Sequence, residues 1–192
     1  MPEKVEIWLG GWAIPPEWAL SVLEKHFPGQ RHQWLPPTAH NLGLGTATKG
    51  YSLGASLLLR QNPGIQAPLY APFLDFKKEA GQGGKVARAQ LLYMRKWLHK
   101  DPLAAINDFY RTAGLPIVAI NLPYPLEDLL WGLAQLLEDV PLPTQPLKAL
   151  ARLGGEDALL DNARLGHYFE RATLAKGATH NLDELLEQTH HL

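Results

Sequence analysis

A Gly-x-Ser-x-Gly pattern occupies residues 50–54, and few local folds can accommodate it. The pattern is typical of a sharp strand-to-helix turn that exposes a serine hydroxyl, here that of Ser52. Its two glycines let the flanking chain segments pass without Cβ clashes. An apolar helix start follows at residues 55–59, as such a turn requires, whereas residues 46–49 are poor in apolar side chains for a buried strand. The pattern alone leaves open a plain glycine-rich turn at the beginning of a helix.

Short strand-like segments alternate with helical ones along the chain. Strand patterns occur at residues 5–9, 32–35, 67–72, 147–153 and 168–175, and helical patterns at 16–28, 126–137 and 182–188. Residues 38–49 are weakly patterned and predict a loop or a short helical turn. This alternation predicts an α/β fold with a mainly parallel sheet.

Composition narrows the class of protein. The 192 residues are 46% hydrophobic and 19% charged, which indicates one folded domain. A net charge of −1 argues against a generally basic nucleic-acid binder, and no apolar run is long enough for a membrane span. The first residues lack the pattern of a secretory signal, and the absence of cysteine excludes disulfides and thiol catalysis. We expect a cytoplasmic protein.

The segment from Leu74 to Ala113 is basic and is predicted to be helical. Apolar residues at 87, 91, 94 and 98 share one helix face, while Arg88, Arg95 and His99 share another. Eight Lys and Arg residues against four Asp and Glu residues give the segment a charge of +4 and leave −5 for the rest of the chain. These charges suit either the solvated face of a helix or a docking surface for an acidic partner.

A nucleophilic serine needs a histidine base and an acid that orients it, in the chain order Ser, acid, His. Asp157 follows a predicted strand in a tight turn, where it would face the carboxyl edge of the sheet, whereas Asp161 suits the N-cap of a helix. His180 follows the last predicted strand, whereas His167 precedes it. The remaining histidines lie before the acid (His26, His32, His40, His99) or in the C-terminal tail (His190, His191). We therefore predict Asp157 and His180 as partners of Ser52.

An oxyanion hole would combine two backbone N–H groups. One belongs to Leu53, after the serine, and the other to Trp12, in the loop after the first strand. Trp12 is equally compatible with a core aromatic residue. The sequence has no metal-ligand spacing, phosphate loop or dinucleotide fingerprint, so we expect acyl transfer without a metal or cofactor.

These motifs together resemble the α/β-hydrolase superfamily, and within it the pimeloyl-[acyl-carrier protein] methyl ester esterases of biotin synthesis. The matching pieces are residues 9–12, 50–54, 121–125, 140–142, 154–157 and 175–180, and the resemblance covers most of the chain. Gly10 departs from it, since the family usually has His before Gly-Trp. The chain begins at what would be the third strand of the superfamily.

The resemblance implies a compact α/β-hydrolase fold with a core of residues 1–73 and 140–192 and an inserted helical lid of residues 74–139, called the lid segment below. It implies Ser52 as nucleophile, His180 as base, Asp157 as its orienter, and Trp12 and Leu53 as oxyanion donors. Arg88, Arg95 and Arg111 would receive an acyl carrier protein bearing the ester. A general short-chain carboxylesterase, a thioesterase and a non-catalytic binding protein remain alternatives.

Overall fold

Six strands form one sheet in the computed structural model, which describes residues 5–188. Their order across the sheet is β2-β1-β3-β4-β5-β6, and all five pairings are parallel, which confirms the predicted sheet type. The strands are β1 (Val5–Leu9), β2 (Arg31–Leu35), β3 (Lys49–Tyr51), β4 (Pro68–Tyr70), β5 (Leu147–Gly154) and β6 (Phe169–Ala175).

Helices connect the strands. They are α1 (Pro16–His26), α2 (Ala39–Gly43), α3 (Leu53–Gln61), α4 (Arg88–Lys100), α5 (Pro102–Thr112), α6 (Leu126–Leu137), α7 (Asn162–Gly166) and α8 (Leu182–Glu187). The chain leaves β1 through α1 toward β2, and leaves β3 through α3 in the opposite direction toward β4. Because such crossovers are right-handed, α1 and α3 cover opposite faces of the sheet. Within residues 5–188 no helix has both the length and the apolarity to cross a membrane.

Strand β3 begins later than the sequence pattern suggests. Residues 46–49 are the expected strand before the serine, yet the strand is Lys49–Tyr51. Its position is fixed by pairing with β1, where Leu9 lies opposite Gly50. This register sets the end of β1 beside the turn that carries Ser52.

The prediction of a continuous helical segment from Leu74 is wrong over its first part. Helix α4 begins only at Arg88, and residues 74–87 contain a single 3-10 turn, Lys78–Ala80. Three of the four residues at 81–84 are glycines, each of which disfavours a helix by about 1 kcal/mol relative to alanine. The predicted apolar face of α4 is confirmed, since Leu91 and Leu98 are buried. The boundaries of the lid segment remain a prediction.

A buried ion pair at the start of the lid segment is hydrogen-bonded to the end of that segment. The Lys77 ammonium lies 3.1 Å from the Asp75 carboxylate, and the two side chains are 4% and 2% exposed. Lys77 Nζ also donates to the backbone carbonyls of Leu137 and Glu138, and the Asp75 carboxylate accepts from Val140 N at 3.3 Å. Residues 75–77, where the segment begins, and residues 137–140, where it ends, are therefore held together.

Candidate active site

Ser52 occupies a strained turn between β3 and α3. Its backbone has φ 52° and ψ −119°, a conformation that costs a non-glycine residue about 1 to 3 kcal/mol. Its N–H donates to Tyr70 O at 2.8 Å. A Cβ on Gly50 would lie 2.6 Å from Ala55 Cα, and one on Gly54 would lie 2.2 Å from Leu9 O. Both glycines are thus required by the close approach of neighbouring backbone.

His180 and Asp157 lie next to Ser52. The Ser52 hydroxyl is 2.8 Å from His180 Nε2, and His180 Nδ1 is 2.7 Å from Asp157 Oδ2. Asp157 follows β5 and His180 follows β6, so the three side chains come from three strand ends at one edge of the sheet. Ser52 is 7% exposed, Asp157 2% and His180 1%. The structure thus brings together the three residues that the sequence singled out.

The surroundings of Asp157 favour its ionised form. Burial alone would raise its pKa, but the charge and hydrogen bond of His180 outweigh it, so the pKa lies below its usual value. Backbone N–H groups of Leu159 and Leu160 also donate to Asp157 Oδ1, at 2.8 and 3.1 Å. One carboxylate oxygen therefore faces the imidazole while the other is held by the chain. Asp161 instead caps α7, accepting from Arg164 N at 3.1 Å.

The other histidines lie elsewhere. His167 is exposed at the end of α7, and His40 and His99 are exposed on α2 and α4. His26 contacts Asp183 at 2.6 Å, joining α1 to α8, and His32 lies 3.7 Å from Glu6. His190 and His191 lie outside the described residues.

Two backbone N–H groups near Ser52 are free to bind an anion. Among residues 5–188, the N–H groups of Trp12 and Leu53 have no protein acceptor. Their two loops are joined where Gly54 N donates to Gly10 O at 2.9 Å. The Trp12 ring is 3% exposed, so Trp12 also serves as a core aromatic residue, as the sequence allowed. The position of Trp12 is therefore compatible with both predicted roles, a backbone donor to an oxyanion and a core aromatic residue.

Four buried hydroxyl-bearing residues around the site were not anticipated from the sequence. Tyr51 donates to the His180 carbonyl, Tyr110 donates to the Ala13 carbonyl, and Tyr124 accepts from Ala13 N. Ser56 Oγ lies 3.2 Å from Ser52 O, to which it donates. The sequence gives only a general indication of such contacts, because the hydroxyl of a buried tyrosine usually needs a hydrogen-bond partner.

The three arginines expected to bind a carrier protein lie on the lid surface. Arg88 and Arg95 are exposed on α4, and Arg111 is exposed on α5, where it pairs with Asp108 three residues earlier. Two of the three guanidinium groups thus have no carboxylate partner within the described chain. Within residues 5–188, no hydrogen bond or ion pair connects any of the three to Ser52.

A cavity of about 800 Å³ lies along the flank of α3. Ser56, Arg60 and Phe73 contribute to its wall, together with residues 138–148, but Ser52, Asp157 and His180 do not. This cavity is therefore separate from the three hydrogen-bonded side chains.

Several solved structures with the same architecture are hydrolases. An esterase from Exiguobacterium antarcticum is 12% identical and superposes with a TM-score of 0.69, over 98% of this chain and 90% of that chain. An α/β hydrolase from a Medee basin deep-sea metagenome library is 12% identical with a TM-score of 0.56, over 94% and 83%. A hydrolase from Oleispira antarctica is 10% identical with a TM-score of 0.55, over 100% and 88%. This chain has the α/β-hydrolase fold.

No protein-family model matches the sequence, and no curated protein matches it. The likeness to these solved structures therefore lies in the fold, at sequence identities of 10–12%. In this example of the fold, strand order reverses between β1 and β3, because β1 leads to one side and β3 to the other. Ligands of open parallel sheets bind beside the carboxyl ends of strands at such a switch point. The loops that carry Trp12 and Ser52 flank it.

Proposed function

We propose that this protein is a serine hydrolase that cleaves carboxylic esters through an acyl-enzyme on Ser52. The observation that carries the proposal is the hydrogen-bonded chain from Ser52 Oγ through His180 to Asp157, set on the strained turn after β3. Convergence of these three groups is the arrangement that activates a serine for acyl transfer.

In the first half of the reaction, Ser52 Oγ attacks the ester carbonyl while His180 Nε2 takes the hydroxyl proton. Asp157 accepts the Nδ1–H hydrogen bond, so it holds the ring with Nε2 free to act as base and stabilises the imidazolium that forms. The imidazolium then gives its proton to the alkoxide, which leaves as the alcohol. The acyl group remains bonded to Ser52 Oγ.

The oxyanion forms beside the free N–H groups of Trp12 and Leu53, which would stabilise it as it develops. In the second half, His180 takes a proton from water, the resulting hydroxide attacks the acyl-enzyme, and Ser52 recovers its proton as the carboxylic acid leaves.

For the substrate, we propose an acyl chain carried by an acyl carrier protein and bearing an ester. The resemblance in sequence motifs suggests the methyl ester of a carrier-bound pimeloyl chain in biotin synthesis. The charge of +4 at residues 74–113 supports an acidic partner, since the rest of the chain is acidic. A free short-chain ester or a thioester would react by the same steps. Both are therefore compared with the carrier-linked ester in the test below.

The test uses a fluorophosphonate probe and p-nitrophenyl acetate with the full chain. The probe should label Ser52, and Ser52→Ala should abolish labelling and lower ester hydrolysis by about 10⁴-fold or more. Ser21→Ala is the matched control, because Ser21 is exposed on α1 and donates only to Trp18 O among the described residues. It should retain both properties.

Residual hydrolysis above one tenth of the wild-type rate in Ser52→Ala would contradict the proposal. An unlabelled and inactive wild-type protein would favour the non-catalytic alternative. Comparing a carrier-linked methyl ester, the free methyl ester and an acyl thioester then separates the three substrate classes by kcat/KM.

A further inference from the structure

Ala13 lies in a turn whose backbone conformation is unusual for alanine. Residues 11–14 form the turn, with a 3.4 Å hydrogen bond from Ile14 N to Gly11 O. Ala13, the third residue, has φ 60°. A positive φ at this position characterises a type II turn, in which glycine or asparagine is favoured. The chain must therefore hold Ala13 in this conformation by other contacts.

Two tyrosines of the lid segment provide those contacts. Tyr124, just before α6, accepts a hydrogen bond from Ala13 N, and Tyr110, on α5, donates one to Ala13 O. Both hydroxyls are buried, and burial raises the pKa of each, so both keep their protons. The backbone donor and acceptor of Ala13 are thus each paired with a lid side chain about a hundred residues away.

Trp12, the neighbour of Ala13, is also held by the lid segment. Its ring N–H donates to Leu129 O at 2.8 Å. Its ring packs edge-on against that of Phe109, with 4.9 Å between the ring centroids. Gly132 of α6 lies so close that an added Cβ would meet Trp12 Cδ1 at 2.6 Å. Both central residues of the turn are therefore fixed by α5 and α6.

We propose that Tyr124 and Tyr110 are positioning residues of the oxyanion hole, which hold the turn at residues 11–14 so that the Trp12 N–H faces the developing oxyanion. The proposal rests on the proposed function, because an oxyanion hole has a role only if Ser52 is acylated. Neither tyrosine needs to touch substrate. Their hydroxyls act through Ala13, whose own N–H is engaged by Tyr124 and is therefore not available to the oxyanion.

The lid segment is therefore bonded directly to the turn at residues 11–14. An enzyme whose oxyanion loop is bonded to α5 and to the start of α6 cannot displace these elements without releasing the turn.

The test compares Tyr124→Phe and Tyr110→Phe with Tyr93→Phe. Tyr93 is the matched control because it lies on α4 of the same segment and is 63% exposed. We expect each of the first two variants to lower kcat on p-nitrophenyl acetate by about 10- to 100-fold with little change in KM, less than the 10²- to 10³-fold for losing a donor itself. Hydrogen exchange of the Ala13 amide should accelerate in Tyr124→Phe, whereas Tyr93→Phe should change neither quantity.

The Ala13→Gly background distinguishes positioning of the turn from a general structural role of the tyrosine hydroxyl. A hydroxyl with only a structural role would change kcat equally in both backgrounds. Glycine adopts a positive φ without cost, so the loss of kcat caused by Tyr124→Phe should shrink in the Ala13→Gly background. An active enzyme whose Tyr124→Phe variant keeps wild-type kcat would overturn the proposal. So would Ala13 amide exchange that is unchanged in Tyr124→Phe, and this second readout is valid even if the wild-type protein hydrolyses no ester and the proposed function fails.

Discussion

The phenol hydroxyl of Tyr51 donates a hydrogen bond to the backbone carbonyl of His180. Tyr51 immediately precedes Ser52, and its side chain is completely buried. The hydrogen bond therefore connects the turn that carries the proposed nucleophile to the loop that carries the proposed base. The two loops follow β3 and β6, which are separated in the sheet by β4 and β5.

We expect Tyr51→Phe to lower kcat about 5- to 10-fold, because a buried hydrogen bond of this kind is worth roughly 1 kcal/mol and His180 loses an anchor. The melting temperature should also fall, since the His180 carbonyl is left unpaired. Steady-state kinetics and thermal unfolding measure the two effects. Tyr168→Phe, at a half-buried tyrosine before β6, is the control, and equal kinetics in both variants would show that the anchor does not affect turnover.

The two histidines near β6 should behave differently. His180→Ala removes the group hydrogen-bonded to both Ser52 and Asp157, and should reduce ester hydrolysis nearly as far as Ser52→Ala does. His167→Ala changes an exposed residue at the end of α7 and should retain wild-type kcat/KM. The reverse result would assign the base to His167 and refute the proposed mechanism.

Much of the site could be predicted from the sequence because its parts follow simple local rules. The Gly-x-Ser-x-Gly pattern marks one strand end, and Asp157 and His180 follow two later strands in the chain order that a serine nucleophile needs. Parallel strands then bring their carboxyl ends to one edge of the sheet. No knowledge of the side-chain packing was required for that inference.

The tyrosines could not be predicted in the same way. Tyr51 bonds to a residue 129 positions away, and Tyr110 and Tyr124 bond to Ala13 across 97 and 111 positions. Such contacts depend on how the lid segment packs on the sheet, and no local pattern encodes it. The late start of α4 has a local origin, because the glycines at 81, 83 and 84 disfavour a helix and can be read directly from the sequence.

Asp157 should contribute mainly to catalysis, whereas Asp161 should contribute mainly to stability. Asp157→Asn should lower kcat by roughly 10⁴-fold, because the neutral amide favours the wrong histidine tautomer and does not stabilise the imidazolium. Asp161→Ala should cost about 1 kcal/mol of unfolding free energy by removing the α7 cap, with turnover preserved. Kinetics and urea unfolding of both variants decide the assignment, and normal turnover of Asp157→Asn would refute it.

The stability contribution of Asp157 should depend on pH in a defined direction. Its folded-state pKa is lowered, so its contribution is fully present above the unfolded pKa of about 3.9 and is lost as the pH falls through the folded value. The difference in unfolding free energy between wild type and Asp157→Asn should therefore narrow below about pH 4. A constant difference from pH 6 to pH 2 would contradict this assignment.

The buried pair of Asp75 and Lys77 should matter far more than an exposed one. Asp75→Ala leaves the buried Lys77 ammonium with only the exposed Asp139 carboxylate, 3.1 Å away, as an ion-pair partner, and we expect a loss of about 3 kcal/mol in unfolding free energy. Asp108→Ala breaks the exposed pair with Arg111 and should cost about 0 to 1 kcal/mol. Urea unfolding measures both, and equal losses would show that the base of the lid segment does not depend on the ion pair.

The basic lid surface provides the test of the carrier protein as partner. Arg88 and Arg95 are exposed on α4, within residues 74–113 that carry +4 while the rest of the chain carries −5. Reversing both to Glu should raise KM for a carrier-linked ester and leave kcat on a small free ester nearly unchanged. Attraction across solvent should also weaken with salt, because the Debye length falls from about 10 Å at 0.1 M to about 3 Å at 1 M.

The matched control reverses Arg31 and Arg171, two exposed arginines on β2 and β6 that change the net charge by the same amount. If docking on α4 is specific, this variant should keep the wild-type KM for the carrier-linked ester, whereas an effect of net charge alone would raise KM in both variants. If the arginines are only the solvated face of α4, neither reversal changes the kinetics, and salt affects carrier-linked and free esters alike. That last result would remove the acyl carrier protein from the proposed function while leaving ester hydrolysis at Ser52 in place.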